Sequence, residues 1–168
     1  MHADIEGAVR TARLAAHFDW TWDSEDLERF CAAAGWQAER FCDTAATLTT
    51  NLDINRPSGD ASLTWGPLQI IGLTVTDVTD PGTSMPEVMA ELLGELSVPM
   101  AAEFGEGTPV TAGVVKALRW DLPNVVIILS AGRGAVAMRL VSPKHQAWTD
   151  EPEDEWDDEE DEDEDGED

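Results

Sequence analysis

The sequence predicts an α+β protein with two N-terminal helices and a mainly antiparallel sheet of five to six strands. A third helix is inserted midway along the strand sequence, and a disordered acidic tail follows the last strand. Three observations support this fold class: apolar residues at helical spacing in three segments, strand-like segments separated by turn residues, and sixteen carboxylates without a base among the last nineteen residues. The chain therefore divides into a single domain over residues 1–149 and a tail over 150–168.

Two short amphipathic helices are predicted at the start of the chain. Residues 3–16 repeat apolar side chains at intervals of three and four. A second helix is predicted to begin after Asp23-Ser24, which can cap it, and to bury Leu27 and Phe30. Gly35 follows in the position where a left-handed residue commonly ends a helix.

The middle of the chain predicts three strands and then the third helix. Strands are expected near 45–54, 61–65 and 68–78, with a hairpin turn at Gly66-Pro67. The helix is expected to begin at the capping box Ser84-Met85-Pro86-Glu87 and to end or bend at Pro99. Its apolar residues repeat at three and four, so it is the clearest helix in the sequence.

The last part of the domain predicts three more strands. Residues 100–113 contain several glycines and prolines and predict a loop with at most one helical turn. Strands are expected at 114–122, 125–129 and 135–141, with a tight turn around Gly132-Arg133-Gly134. Such turns favour antiparallel hairpins. Pro143 is expected to end the sheet, after which the chain continues into the acidic tail.

The charge of the chain bears on its partners. The net charge is −25, and the tail accounts for sixteen of the thirty-five acids, which leaves nineteen acids and ten bases elsewhere. At about 0.15 M salt the screening length is about 8 Å, so the tail carboxylates repel one another and keep the tail extended. A surface this negative repels phosphate backbones and excludes nucleic acid as a partner. It favours a basic protein partner, unless the tail serves only solubility.

Motifs for catalysis, cofactors and metals are not found in the sequence. The three histidines, His2, His17 and His145, stand outside metal-ligand spacing. Cys31 and Cys42 have no histidine placed to suggest a pair, and the glycines around Arg133 indicate a hairpin turn. We therefore expect a non-enzymatic protein without cofactors. The absence of a signal peptide and of long apolar runs predicts a cytoplasmic, reduced protein without membrane contact.

Seven tryptophans give the strongest hint of a binding surface. Trp20 and Trp22 flank one threonine, and Trp36 follows the second helix. These three either form a hydrophobic corner between the helices and the sheet or expose an anchor for a partner. Trp148 and Trp156 lie beside or within the acidic tail, where no core is expected. The candidate partner-binding residues are therefore Trp20, Trp22, Trp148 and Trp156.

One stretch carries a resemblance to other proteins. Phe18-Asp-Trp-Thr-Trp-Asp-Ser-Glu-Asp-Leu, followed by Gly35-Trp36, resembles the opening of small uncharacterised proteins from high-GC actinobacteria. The resemblance covers roughly residues 15–148 and brings no catalytic residues with it. Small acidic α+β proteins of this kind also resemble bacterial toxin-immunity proteins and secretion chaperones, which implies a binding role.

Three functions remain open on the sequence alone. We expect a protein-binding module, such as an immunity-type inhibitor or a secretion chaperone for a basic partner. The first alternative is a small-molecule-binding or enzymatic domain with a pocket between sheet and helices. The second is a structural subunit that oligomerises through a sheet edge. The sequence determines neither the partner nor the oligomeric state.

Overall fold

The structure is a computed structural model that describes residues 1–80, 86–112, 115–132 and 134–151. Within them the helices are α1 Ile5–His17, α2 Glu25–Ala34, α3 Pro86–Phe104 and α4 Pro143–Asp150. The strands are β1 Gln37–Cys42, β2 Ala45–Thr49, β3 Ser58–Leu63, β4 Leu68–Thr74, β5 Thr108–Ala112, β6 Val115–Asp121, β7 Val126–Ala131 and β8 Val136–Val141.

The strands form one antiparallel sheet in the order β1-β2-β3-β4-β8-β7-β6-β5. Each half of the sheet is a four-stranded meander, and α3 connects the two halves along the chain. The halves meet where β4 pairs with β8, with Gly72 opposite Arg139. The predicted α+β class and the antiparallel sheet are therefore confirmed.

The predicted number of strands is wrong, because the described residues form eight strands rather than five or six. Both β1 and β5 were missed, and they are the two edges of the sheet. Edge strands face water along one side and tolerate charged residues and proline. β1 contains Glu39 and Arg40, and β5 contains Pro109. These residues interrupt the apolar pattern from which a strand is predicted, so the sequence did not reveal either edge strand.

The helices also differ from the prediction. α3 continues through Pro99 to Phe104, and Leu96 and Met100 on either side of the proline are fully buried. Packing of these residues holds the helix together where its hydrogen-bond ladder loses one donor. Ser84 and Met85 of the predicted capping box and Arg133 of the predicted turn lie outside the described residues. α4 was not predicted at all.

Two apolar clusters lie on opposite faces of the sheet. The main core packs α1, α2 and α3 against one face and includes Phe30, Ile71 and Met138, all fully buried. A smaller cluster lies on the other face, where it contains Val126, Ile128 and Val141 together with Ile70 and Ala117. α4 lies over this second face, and residues of both line a cavity of about 400 Å³ between them. In the described part of the chain, no helix combines the length and apolar character needed to cross a bilayer.

Candidate partner-binding groove

A groove of about 820 Å³ lies at one end of the sheet. One side is formed by the connection between α1 and α2 and by the β3–β4 hairpin, and the other side by α4. We call it the tryptophan groove and define it by its principal lining residues: Trp22, Thr64, Pro67, Leu68, Lys144, His145 and Trp148.

A buried carboxylate builds the first side of the groove. Asp26, only 1% exposed, accepts hydrogen bonds from the backbone N–H groups of Thr21 and Trp22, both at 2.7 Å. It also accepts the Thr21 hydroxyl at 3.1 Å and pairs with Arg29. These bonds hold Trp22 in a left-handed conformation with φ of 60°. Such backbone costs about 1–2 kcal/mol in an L-residue, which charge-assisted hydrogen bonds to Asp26 offset.

The Trp22 ring is fixed as firmly as its backbone. Its Nε1 donates to the carbonyl oxygen of Asn124 at 3.1 Å, and the ring stacks on Trp20 with centroids 4.2 Å apart. Trp20 in turn stacks on the buried Phe30 at 5.0 Å and donates from Nε1 to Ala15 O. Trp20 is half-buried and supports Trp22 from behind, so it belongs to the hydrophobic corner between helices and sheet.

A third tryptophan near the groove was missed by sequence reasoning. Trp65 occupies the tip of the β3–β4 hairpin, has φ of 51° and is 81% exposed. Gly66 follows it, and Thr64 N donates to Pro67 O at 2.9 Å to close the turn. The sequence predicts the turn at Gly66-Pro67 and places Trp65 in the preceding strand, whereas β3 ends at Leu63. The missed signal was a residue followed by glycine between two strands, the pattern that Asn-Gly normally supplies.

The second side of the groove is α4, whose packing differs from that of the first side. Ser142 caps the helix by accepting the N–H of His145, and Trp148 is 68% exposed. All eight residues of α4 are described, and none is buried. The helix could have been found from Ser142-Pro143, because a cap followed by proline is a typical helix start.

An ion pair joins the end of α4 to the sheet. The Arg119 guanidinium donates to both carboxylate oxygens of Asp150, at 3.1 and 2.9 Å. Arg119 also donates from Nε to Asp121 at 2.7 Å. The pair lowers the pKa of Asp150, chiefly through the hydrogen bond from Arg119, and the same bond raises the pKa of Arg119.

The predicted site residues separate into three kinds. Trp22 and Trp148 both line the tryptophan groove, one on each side, and Trp20 lies behind Trp22. Trp156 lies outside the described residues. The sequence therefore named one tryptophan on each side of the groove but could not distinguish a lining residue from a supporting one. That these residues bind a partner stays a prediction.

Of the residues considered for chemistry, His145 lines the tryptophan groove, whereas neither cysteine does. Cys31 is buried in α2, where loss of solvation raises the pKa of its thiol to about 11. Cys42 is exposed at the end of β1, and its hydrogen bond with Thr44 lowers the pKa of its thiol. The described residues also contain no group of three or more His, Cys, Asp or Glu side chains that could hold a metal ion.

Fold and groove together define an α+β protein with one eight-stranded antiparallel sheet and an aromatic groove at its end. A model of the family of unknown function DUF6301 matches residues 6–142, and the chain belongs to this family. The match includes the first side of the groove and ends at Ser142, immediately before α4. Neither a curated protein nor a solved structure matches the chain.

Proposed function

We propose that the chain is a non-enzymatic protein-binding module that takes a basic, partly apolar segment of another protein into the tryptophan groove. The observation that carries this proposal is that Trp22 and Trp148 line the groove from opposite sides. Trp148 is mostly exposed, and so is Trp65, which follows the lining residue Thr64 at the tip of the β3–β4 hairpin. Tryptophan is enriched among residues that dominate binding energy at protein interfaces. An exposed Trp65 in a left-handed turn gains little from the fold, which favours a role in contact with a partner.

The charge around the groove supports a basic partner. The sixteen carboxylates of residues 150–168 begin two positions after Trp148. A partner segment bound along α4 therefore reaches the start of this acidic run. Lysine or arginine side chains in the partner segment would be attracted to its negative charge. Apolar side chains of the same segment would contact the exposed tryptophan rings.

This function could take the form of an immunity-type inhibitor or of a secretion chaperone. The resemblance at Phe18–Leu27 further supports an actinobacterial source. Both forms hold a single basic partner. The alternative of assembly through a sheet edge receives less support, because the outer strands carry Glu39 and Arg40 on β1 and Pro109 on β5. Charged residues and proline discourage edge pairing.

The proposal is tested with three labelled twelve-residue peptides and fluorescence anisotropy. One peptide alternates lysine with leucine, one lysine with serine and one glutamate with leucine. We expect the lysine–leucine peptide to bind most tightly, the lysine–serine peptide more weakly and the glutamate–leucine peptide not at all. Binding should weaken between about 0.05 and 0.5 M salt, because screening removes the ionic part.

Variants locate the binding in the groove. Trp65→Ala and Trp148→Ala should each weaken the lysine–leucine peptide by about tenfold or more, the size expected for an interface residue worth over 1.4 kcal/mol. Val98→Ala is the matched control, since Val98 is 69% exposed but lies on α3, outside the groove. Equal losses in all three variants, or none in any, would contradict the proposal.

A second candidate function is small-molecule binding in the same groove. Its volume of about 820 Å³ falls within the range of about 300–1,000 Å³ usual for such sites, and aromatic rings are typical of their linings. Competition between tryptamine and the labelled lysine–leucine peptide distinguishes the two functions. A small-molecule site would bind single aromatic amines, such as tryptamine, as tightly as it binds the peptide, whereas a protein-binding groove needs the longer ligand.

A further inference from the structure

Helix α4 depends on its two ends for its position. An eight-residue helix is marginal in water by itself, and α4 buries none of its side chains. At its start, Ser142 N donates to Gln69 O at 2.9 Å and ties the helix to β4. At its end, Arg119 of β6 holds Asp150 through two hydrogen bonds. The first anchor is backbone in a buried position, and the second is an ion pair at the surface.

The surface anchor is the weaker of the two. Ser142 is 7% exposed, whereas the Asp150 side chain is 45% exposed and water reaches it readily. Arg119 is 21% exposed and binds both oxygens of Asp150, which strengthens the pair. Water and salt still screen the half-exposed carboxylate, whereas the buried backbone bond of Ser142 is not screened in this way. Asp150 is also the first carboxylate of the acidic run, so a basic segment drawn to that run arrives beside the ion pair.

We propose that α4 is a latch on the tryptophan groove, closed by the Arg119–Asp150 ion pair and opened by a lysine- or arginine-rich partner segment that takes Asp150 from Arg119. The inference rests on the proposed function for its partner. When the pair breaks, the helix pivots at Ser142, and Trp148 and His145 move with it. The groove then adapts its α4 side to the bound segment while the Trp22 side stays in place.

Limited proteolysis tests the latch without any partner. The chain has two lysines, Lys116 and Lys144, so an endoproteinase specific for lysine has two possible cleavage sites. Lys144 lies in the first turn of α4, and Lys116 lies in β6 between β5 and β7. Cleavage of a locally opened segment follows the population of the open form. Cutting at Lys144 therefore reports on α4, and cutting at Lys116 reports on the sheet.

The expected result is a change at one site only. Arg119→Gln and Asp150→Asn in the full chain should each speed cleavage at Lys144 by about two- to fivefold, the range that an exposed ion pair of modest strength implies. Asp121→Asn, which removes the other acid bonded to Arg119 but leaves α4 joined to it, should not. Unchanged cleavage at Lys144 in the first two variants, or equal acceleration at Lys116, overturns the latch.

Binding of the lysine–leucine peptide tests the partner's part. Arg119→Gln should tighten binding about two- to fivefold, because the peptide no longer competes with Arg119. Arg56→Gln controls for the lost positive charge. Arg56 precedes β3, and its carbonyl oxygen accepts the hydroxyl of Thr74, at the end of β4 away from the groove. Asp150→Asn should not tighten binding, since the peptide loses its acceptor. Equal tightening by Arg119→Gln and Arg56→Gln overturns opening by the partner.

The two proposals fail in different ways. If no peptide binds the natural chain, the proposed function is wrong, and the cleavage rates at Lys144 still decide whether Arg119 and Asp150 hold α4. If the peptide binds in the groove, but the Arg119→Gln variant is cleaved at the same rate as the natural chain and binds the peptide equally tightly, the proposed function stands and the latch is wrong.

Discussion

The two sides of the tryptophan groove present the same kind of side chain by different physical means. Trp22 is held by a buried carboxylate, a hydrogen bond from its ring and a stack of aromatic rings that reaches the core. Trp148 stands on a helix without a buried residue, fixed at its end by one surface ion pair. The comparison indicates a rigid side that defines the site and a weakly held side that can adjust.

The largest expected effect belongs to the core beneath the rigid side. Phe30 is fully buried and contacts the rings of Phe18, Trp20 and Trp36. Phe30→Ala should lower the free energy of unfolding by about 3–5 kcal/mol, through lost burial and the cavity left behind. Trp148→Ala should change it by less than about 0.5 kcal/mol, as is usual at the surface. Denaturant titration of both variants measures the difference, and similar losses would remove the distinction between the two sides.

The main lines of the fold could be predicted because they depend on local patterns. Apolar spacing placed α1, α2 and α3, and Gly35 ends α2 in the left-handed conformation expected, with φ of 79°. The edge strands β1 and β5 were missed because their stability comes from pairing with a neighbour on one side. α4 was missed because it has no apolar stripe to detect, and that is also why it is weakly held.

The site was partly predictable for a similar reason. Trp22 and Trp148 could be named from their neighbours in sequence, but their meeting depends on how the end of β8 lies beside the start of β4. Nothing local marks Asp26 as the residue that holds Trp22, because an acid in the first turn of a helix is ordinary. Its role follows only from its burial and its bonds to Thr21 and Trp22.

An intermediate effect is expected at Asp26. Asp26→Ala leaves the N–H groups of Thr21 and Trp22 without their acceptor, and should lower the free energy of unfolding by about 2–4 kcal/mol. Asp23→Ala, an exposed acid three residues earlier, should cost less than about 0.5 kcal/mol. Labelling of the buried Cys31 thiol by a disulfide reagent at pH 8 gives a second measure when the exposed Cys42 is replaced by serine in both chains. Asp26→Ala should speed it, and an unchanged rate with unchanged stability would show that Asp26 does not hold this side.

The smallest expected effect is the pH dependence of the α4 side. The pKa of Asp150 is lowered in the folded chain, so its ion pair contributes stability above the ordinary aspartate pKa of about 3.8. That contribution is lost as the pH falls through the lowered value, because the carboxylate then takes a proton. Exchange of the Gln146 amide, corrected for intrinsic rates, should therefore rise as the pH falls below about 3.8. At neutral pH, cleavage at Lys144 should rise in high salt. Asp150→Asn should abolish the acid response, and a response that persists in this variant would assign it to another group.

Amide hydrogen exchange in the free, full-length chain tests the contrast between the two sides most directly. The amide of Trp22, bonded to buried Asp26, should exchange only when the domain opens widely. The amide of Gln146, bonded to Ser142 O within α4, should exchange through local opening, at least about a hundredfold faster after correction for intrinsic rates. Equal protection at the two amides would contradict a rigid side facing a latched one.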